Sequence, residues 1–320
     1  MREFAFIKKV SLFKLVLAFR DQFSDKDWAS IEATILPNAQ VPELYACLTI
    51  AVQRYYSKRT RLPDVTSLDD VVRLLRTSSR ILVVTGAGIS VSCGIPDFRS
   101  PNGIYARLTD YELTDPTDMF DLEYFKHKPE TFYSFAKEIY PSNFQPSPSH
   151  MFVALLEHQG KLLRNYTQNI DNIEELAGVQ RVVQCHGSFR TARCVTCGYA
   201  VPGSAIEADV FAERVPQCPQ CPPSAELPIM KPDIVFFGEQ LPAHFFATID
   251  GDMAQADFVL VIGSSLKVAP VSEILRAVPD HVPQVIINRE LLPHLKHHFD
   301  VHLLGNADTV VADLCARLGW

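Results

Sequence analysis

Apolar, β-branched runs too short to be buried helices recur along the chain: Ile81–Thr85, Leu162–Tyr166, Val182–Cys185, Phe258–Ile262, Val285–Ile287 and Val301–Leu303. A run that is apolar at nearly every position, rather than at alternate ones, predicts a strand covered on both faces. Segments with helical spacing lie between most of these runs, among them Glu130–Tyr140, Ser149–His158 and Val271–Ala277. Strands alternating with helices predict an α/β fold, an open parallel sheet with helices on both faces. Such a sheet binds ligands outside the carboxyl ends of its strands, at the switch point. Two stretches break the alternation: about 100–148, rich in Asp, Tyr and Phe, and about 187–230, which carries paired cysteines. We read them as a helical insertion and a cysteine-bearing insertion that together make a small second domain.

Residues 1–60 show helical spacing with few turn residues until Arg61-Leu62-Pro63-Asp64 breaks the pattern. Ser67 with Asp70 predicts a capping box opening a helix over Leu68–Leu75. The chain therefore divides into an N-terminal helical extension, 1–62, and a main domain, 63–320. Lys8, Lys9, Lys14 and Arg20 interrupt every apolar core near the start, which argues for an amphipathic helix and against a signal peptide or membrane span.

A formal net charge of -7 on 320 residues excludes a general nucleic-acid binder, which needs a basic excess. A mildly acidic surface suits a basic partner such as a lysine-rich peptide, and equally serves solubility. Eight cysteines in a chain this large and hydrophobic do not suggest a disulfide scaffold. Cys194-Val-Thr-Cys197 and Cys218-Pro-Gln-Cys221, twenty residues apart, match a zinc ribbon, in which four thiolates fill one tetrahedral shell. No coordination position is left for water, so the ion is expected to be structural. Redox cysteines are the alternative. Cys47, Cys93, Cys185 and Cys315 read as small buried hydrophobes.

Thr85-Gly86-Ala87-Gly88-Ile89-Ser90 directly follows the first predicted strand. Small residues there let the backbone approach a pyrophosphate, with helix N-terminal N–H groups facing the anion. Further polar clusters end later strands: Thr167-Gln168-Asn169-Ile170-Asp171, Gln184-Cys185-His186-Gly187-Ser188, Gly263-Ser264-Ser265 and Asn288-Arg289-Glu290. Five such clusters on one rim describe a dinucleotide crevice, in which Glu290 is placed to accept from the adenosine ribose hydroxyls.

The motifs G-A-G-I-S, G-I-P-D-F-R-S, T-Q-N-I-D, C-H-G-S, the cysteine quartet, K-P-D-I-V-F-F-G-E, G-S-S-L-K-V and I-N-R-E stand in the order and approximate spacing of the sirtuins. The chain resembles that family over about 63–318, and its wording is similar to the class I nuclear branch. The resemblance implies a Rossmann-like sheet, one structural zinc, and an NAD-dependent protein-lysine deacetylase that moves the acetyl group of acetyl-lysine to ADP-ribose with release of nicotinamide. By resemblance, His186 is the general base and Asn169 orients the nicotinamide ribose or an attacking water. Gly86, Ala87, Gly88, Ser90, Gly263, Ser264, Ser265, Asn288, Arg289, Glu290 and Ala307 hold the pyrophosphate and adenosine. Ile95, Asp97, Phe98 and Arg99 belong to the loop over the nicotinamide ribose, with Phe98 walling the reacting carbon. Gln168, Ile170 and Asp171 hold the nicotinamide end. Val235, Phe237, Gly238 and Glu239 take an acetyl-lysine substrate as an added strand, and Val235 and Phe237 line the acyl tunnel. Cys194, Cys197, Cys218 and Cys221 bind the zinc. Histone tails and the nucleus follow as substrate and placement, with the cytoplasm as a second compartment; no sequence-specific nucleic-acid binding and no membrane association are implied.

The implied route has the acyl carbonyl oxygen attack the anomeric carbon, after which His186 activates the 2′-hydroxyl and the acyl group migrates. Three rivals stay open on the residues alone. An oxidoreductase would transfer hydride, but the third glycine of the dehydrogenase fingerprint is missing. A zinc-ribbon scaffold would need none of the crevice clusters. A mono-ADP-ribosyltransferase would share the first bond cleavage. The apolar tunnel residues Phe98, Val235 and Phe237 predict preference for acetyl over acidic acyl groups, unless Arg107 turns inward; we read Arg107 as a solvated loop residue.

Overall fold

The computed structural model describes residues 59–98, 103–111, 113, 115–141, 144–222, 224–295 and 297–320, together with Arg20, Trp28, Ala29, Ile31 and Glu32. The helices expected in the N-terminal extension and the site candidate Arg99 lie outside the described residues. Residues 61–295 and 299–320 form one compact unit.

In chain order its strands are β1 (Ile81–Thr85), β2 (Leu162–Thr167), β3 (Val182–Gln184), β4 (Gly187–Cys194), β5 (Ala200–Pro202), β6 (Met230–Ile234), β7 (Phe258–Ile262), β8 (Gln284–Asn288) and β9 (Val301–Leu304). The helices are α1 (Leu68–Thr77), α2 (Ile104–Arg107), α3 (Leu122–His127), α4 (Pro129–Ile139), α5 (Pro148–His158), α6 (Ile173–Leu176), α7 (Glu207–Phe211), α8 (Ala243–Gln255), α9 (Ile274–Ala277) and α10 (Ala307–Leu318). All six predicted apolar runs are strands of one parallel sheet, in the order β3-β2-β1-β7-β8-β9. The chain runs outward from β1 to β3 on one side, then returns to lay β7 against the free edge of β1. The switch point therefore lies between β1 and β7.

Full burial of both faces explains the unbroken apolar runs. Ile81, Val83, Phe258, Leu260, Ile262, Val285 and Ile287 pack on α1, α5 and α10. Their neighbours Leu82, Val84, Val259, Val261 and Ile286 point the other way, against α8 and α9. The capping box expected at α1 is present: the Ser67 hydroxyl accepts from the Asp70 N–H, and Asp70 reaches back to the Ser67 N–H at 3.0 Å. No helix among the described residues is long and apolar enough to cross a membrane.

The two interrupting stretches share a third core. Phe120, Phe125, Phe132, Tyr133 and Phe135 from the helical insertion pack with Phe189, Ile206 and Met230 from the cysteine-bearing one, and with Ile234 and Phe236 just after it. The rings meet edge to face, as Phe125 with Phe236 at 5.3 Å and 90°. A small antiparallel sheet, β5-β4-β6, carries the second insertion. Pro232 sits inside β6, which is tolerable because β6 is an edge strand.

Candidate functional site

The carboxyl ends of the parallel strands open into a cavity of about 1140 Å³ between the sheet and the small domain. Loops after β1, β2, β3, β7, β8 and β9 all reach it, six clusters where the sequence suggested five. Gly86, Ala87, Gly88, Asp97, Phe98, Gln168, Asn169, Ile170, His186, Gly263, Ser264, Ser265, Asn288, Arg289, Glu290 and Ala307 line it, as do Val235, Phe237, Gly238 and Glu239. Ser90, Ile95 and Asp171 do not. They line a small side pocket shared with Ala87, Phe98, Asn169 and Ile170.

The floor forms at the switch point, where the loops after β1 and β7 are in contact. Gly88 donates its N–H to the Gly263 carbonyl at 2.8 Å. A Cβ on Gly88 would stand 2.7 Å from Gly263 Cα, and Gly263 itself takes φ +61, so a side chain at either place forces the loops apart. Where helix N-terminal N–H groups are expected at the glycine turn, the chain forms two single 3₁₀ turns, Ala87–Ile89 and Val91–Cys93. Gly94, at φ +93, ends them before Pro96.

Side chains tie the loops together. The Ser264 hydroxyl donates to Gln168 Oε1 at 2.5 Å. Asn169 Nδ2 donates to the Ser90 hydroxyl at 3.1 Å and the Gly86 carbonyl at 3.3 Å. Ser90 in turn donates to Asp171 Oδ2 at 2.7 Å. Asn169 and Asp171 are both buried, and burial raises the Asp171 carboxyl above its ordinary value. Ser90 and Asp171 therefore brace Asn169 from beneath.

His186 follows β3. Its Nδ1 lies 2.9 Å from the Gln168 carbonyl, an acceptor only, so Nδ1 carries the proton. Nε2 is buried with no partner. Burial pushes the imidazole below its ordinary 6.5, which favours the neutral form. The resulting tautomer leaves the Nε2 lone pair available.

Beneath Asp171 lies a cluster that sequence reading missed. His150, Asp171 and Glu174 are fully enclosed, and their ligating atoms lie within 4.8 Å of one another. His150 Nε2 and Glu174 Oε2 have no partner. Desolvation, with Asp171 nearby, pushes Glu174 up to about 8; desolvation pushes His150 down to about 4. The only hint in the sequence is the pair of acids Asp171 and Glu174, three residues apart where the loop after β2 enters α6.

On the small-domain side, Phe98 meets Tyr105 and Phe120 at 5.8 Å each. The segment after β6 alternates in exposure: Phe236 is buried in the aromatic core, Val235 is half-buried and Phe237 is exposed, and all three border the cavity. The Val235 N–H donates to the His186 carbonyl at 2.7 Å. Glu239 stands on the wall, yet its carboxylate is turned inward to Lys231 and the Phe236 N–H. Arg107 pairs with Glu138 at 3.3 Å, is exposed, and does not line the cavity. The loop walls Lys267–Pro270 and Leu291–His294 also went unassigned in the sequence reading, although His294 Nε2 contacts the Ser265 carbonyl at 2.9 Å.

Cys194, Cys197, Cys218 and Cys221 bring four sulfurs within 4.8 Å of one another. Cys194 and Cys221 Sγ are 3.6 Å apart, and Cys197 and Cys218 Sγ 3.7 Å. Sulfurs about 2.3 Å from a tetrahedral zinc stand roughly 3.8 Å from one another, so the quartet fits one structural zinc ion.

Comparison with known proteins agrees with this architecture. The profile described as Sir2 family matches residues 86–270. "NAD-dependent protein deacetylase sirtuin-1" of Rattus norvegicus is 56% identical over 264 residues, 82% of this chain and 47% of its own length. "NAD-dependent histone deacetylase sirtuin-1" of Drosophila melanogaster is 52% identical, over 82% of this chain and 34% of its own. "NAD-dependent protein deacetylase HST1" of Saccharomyces cerevisiae is 42% identical, over 84% and 59%. The chain thus spans between a third and three-fifths of the length of these relatives. The matched stretch holds the switch-point glycines, the His186 loop, the cysteine quartet and the Val235–Glu239 segment, and on that ground the chain belongs to the Sir2 family.

Proposed function

We propose that this protein is an NAD-dependent protein-lysine deacetylase. The observation that carries the reading is the His186 tautomer: a neutral imidazole on the cavity wall, Nδ1–H held by the Gln168 carbonyl, Nε2 buried and unpartnered. A base of that kind takes a hydroxyl proton at physiological pH. Bound NAD would supply the nicotinamide–ribose bond whose cleavage drives acyl transfer. Gly86, Ala87, Gly88, Gly263, Ser264 and Ser265 bind its pyrophosphate, with Asn288, Arg289, Glu290 and Ala307 toward adenosine. Gln168, Asn169, Ile170 and Asp171 hold the nicotinamide end, with Ser90 and Ile95 behind it. Asp97 and Phe98 close over the ribose, and Phe98 excludes water; the resemblance assigns Arg99 to the same cofactor site.

The substrate is an acetyl-lysine peptide in extended form, laid beside Val235–Glu239. Among the described residues the Val235 carbonyl and Gly238 N–H have no hydrogen-bond partner, and unpaired backbone at a rim is what an added strand needs. Main-chain pairing tolerates many side chains, and histone tails in the nucleus are the substrate class we favour, since relatives are named protein and histone deacetylases. We also take residues 1–62 as an extension outside the catalytic domain. The test is incubation with NAD and an acetyl-lysine histone peptide, following products by mass. Nicotinamide, deacetylated peptide and O-acetyl-ADP-ribose in equal amounts support the reading. ADP-ribosylated peptide in their place would make the protein a transferase of a different kind.

A further inference from the structure

Lys231 is an ammonium in a place where water is scarce. It lies on β6, with the residue 7% exposed. A buried cation is costly unless its protons find acceptors, and here they do. Nζ donates to the Ile234 carbonyl at 2.7 Å, to Glu239 Oε2 at 2.8 Å and to the Pro232 carbonyl at 3.3 Å. It also stands 4.2 Å from the centre of the Phe236 ring. The same Glu239 oxygen accepts the Phe236 N–H at 2.7 Å, and the Glu239 N–H returns to the Phe236 carbonyl at 3.0 Å. Gly238, at φ +95, lets the chain turn between them. A buried ion pair thus closes a ring of bonds inside the segment 231–239.

That ring also has outside anchors. The Val235 N–H donates to the His186 carbonyl at 2.7 Å, the Phe237 N–H to the Phe120 carbonyl at 2.7 Å, and the Phe237 carbonyl accepts from Leu122 N–H at 3.1 Å. The segment is therefore fixed to the β3 loop on one side and to the helical insertion on the other. The ion pair fixes the one part that neither anchor reaches, the turn carrying Gly238. An apolar pair of similar size would fill the space, but would leave the Phe236 N–H and the Ile234 carbonyl without these partners.

We propose that the Lys231–Glu239 pair is a positioning device for the acyl-peptide: neither side chain touches the substrate, and together they hold the backbone and the Phe237 ring that do. This rests on the deacetylase reading above. The pair sets substrate-strand geometry and leaves the NAD side of the cavity alone.

The experiment is steady-state deacetylation by the full chain, varying NAD and an acetyl-lysine peptide separately, for wild type, Glu239→Gln, Lys231→Met and the double variant, with thermal unfolding alongside. Glu239→Gln keeps an oxygen for the Phe236 N–H and removes the counter-charge. Each single change should raise the peptide KM about tenfold, the scale of one lost charge-assisted hydrogen bond, with kcat and the NAD KM within about twofold. The double variant should resemble either single rather than their product, because both break one device. A folded variant with an unmoved peptide KM, peptide and NAD KM rising together, or multiplicative effects in the double would each overturn the proposal. Glu239→Asp keeps both charges and shortens the reach; should Glu239→Gln fail to fold, the same split of KM values in Glu239→Asp decides. Wild type without deacetylation would instead sink the underlying reading.

Discussion

The two walls of the cavity are held by different means. The sheet side rests on aliphatic strands bonded in one sheet from β3 to β9, with the binding loops simply appended to strand ends. The small-domain side rests on interlocked aromatic rings drawn from two segments of chain, and on four cysteines placed for one ion. A sheet of this kind tolerates change in its loops, whereas the small domain has little to fall back on once its metal or its rings are disturbed. Damage to the two walls should therefore be separable.

The strongest way to test that separation is to remove the metal. Cys194→Ser should abolish bound zinc and deacetylation together, since structural zinc in small modules carries roughly 10 kcal/mol or more of apparent folding free energy. Amide exchange should quicken in β4 and β6 while β1 and β7 keep their protection. Active protein that contains no zinc on elemental analysis would contradict the assignment.

Next in size is the proposed base. His186→Ala should cut deacetylation by roughly 10²-fold or more while NAD affinity, measured by calorimetry, changes little. Because burial lowers the His186 pKa, the neutral form persists below the ordinary 6.5, and wild-type kcat/KM should fall only as pH drops through that depressed value. Near-normal turnover in the variant would remove His186 from the chemistry.

Acyl choice probes the apolar face of the small-domain wall. Acetyl peptides should be favoured over matched succinyl peptides by order 10²-fold in kcat/KM, because an unpaired carboxylate beside Phe98, Val235 and Phe237 costs several kcal/mol. Arg107 is engaged with Glu138 at the surface, and among the described residues the Lys and Arg side chains that line the cavity, Lys267 and Arg289, belong to loops after β7 and β8. Equal efficiency on both peptides would mean that a cation reaches the acyl group.

The smallest effect belongs to the enclosed cluster on the sheet side. Burial, with Asp171 nearby, pushes the Glu174 carboxyl from an ordinary 4.5 up to about 8, so the folded state holds a proton that the unfolded chain releases. Its contribution to stability is full below 4.5 and lost as pH rises through about 8. His150 runs the opposite way: its contribution is present above 6.5 and lost as pH falls through about 4. Between pH 6.5 and 8 His150 adds nothing, and the raised Glu174 should weaken the fold by about 1–2 kcal/mol at up to 1.36 kcal/mol per pH unit. Glu174→Gln should remove that slope in chemical denaturation, and an unchanged slope would assign it elsewhere.

Much of the sheet side was legible because its determinants are local. Each strand announces itself by a short apolar run, and each binding loop by the polar residues that follow. The cysteine spacing is legible for the same reason. What escaped depends on residues brought together from afar. His150 and Glu174 come from different helices, and nothing near either residue reveals the other. The aromatic core joins Phe120 to Phe236 across more than a hundred residues, so the two insertions could be recognised without showing how they interlock. Glu239 is read as a substrate contact from its motif, and the bond of its carboxylate to Lys231, eight residues away, is nowhere announced in the sequence. The 3₁₀ turns after β1 end at Gly94, in the left-handed region, just before Pro96.

The switch point also sets an order of events in folding. Ile81 pairs with Phe258, and Gly88 bonds to Gly263, so more than half the chain must be made before the floor of the crevice exists. Contacts so distant in sequence are slow to form, and during synthesis β1 leaves the ribosome long before its partner β7. Until β7 arrives, β1 exposes an apolar edge whose only parallel neighbour is β2. The cavity is thus among the last features to assemble, and a ligand that binds there reports on a chain that has finished folding.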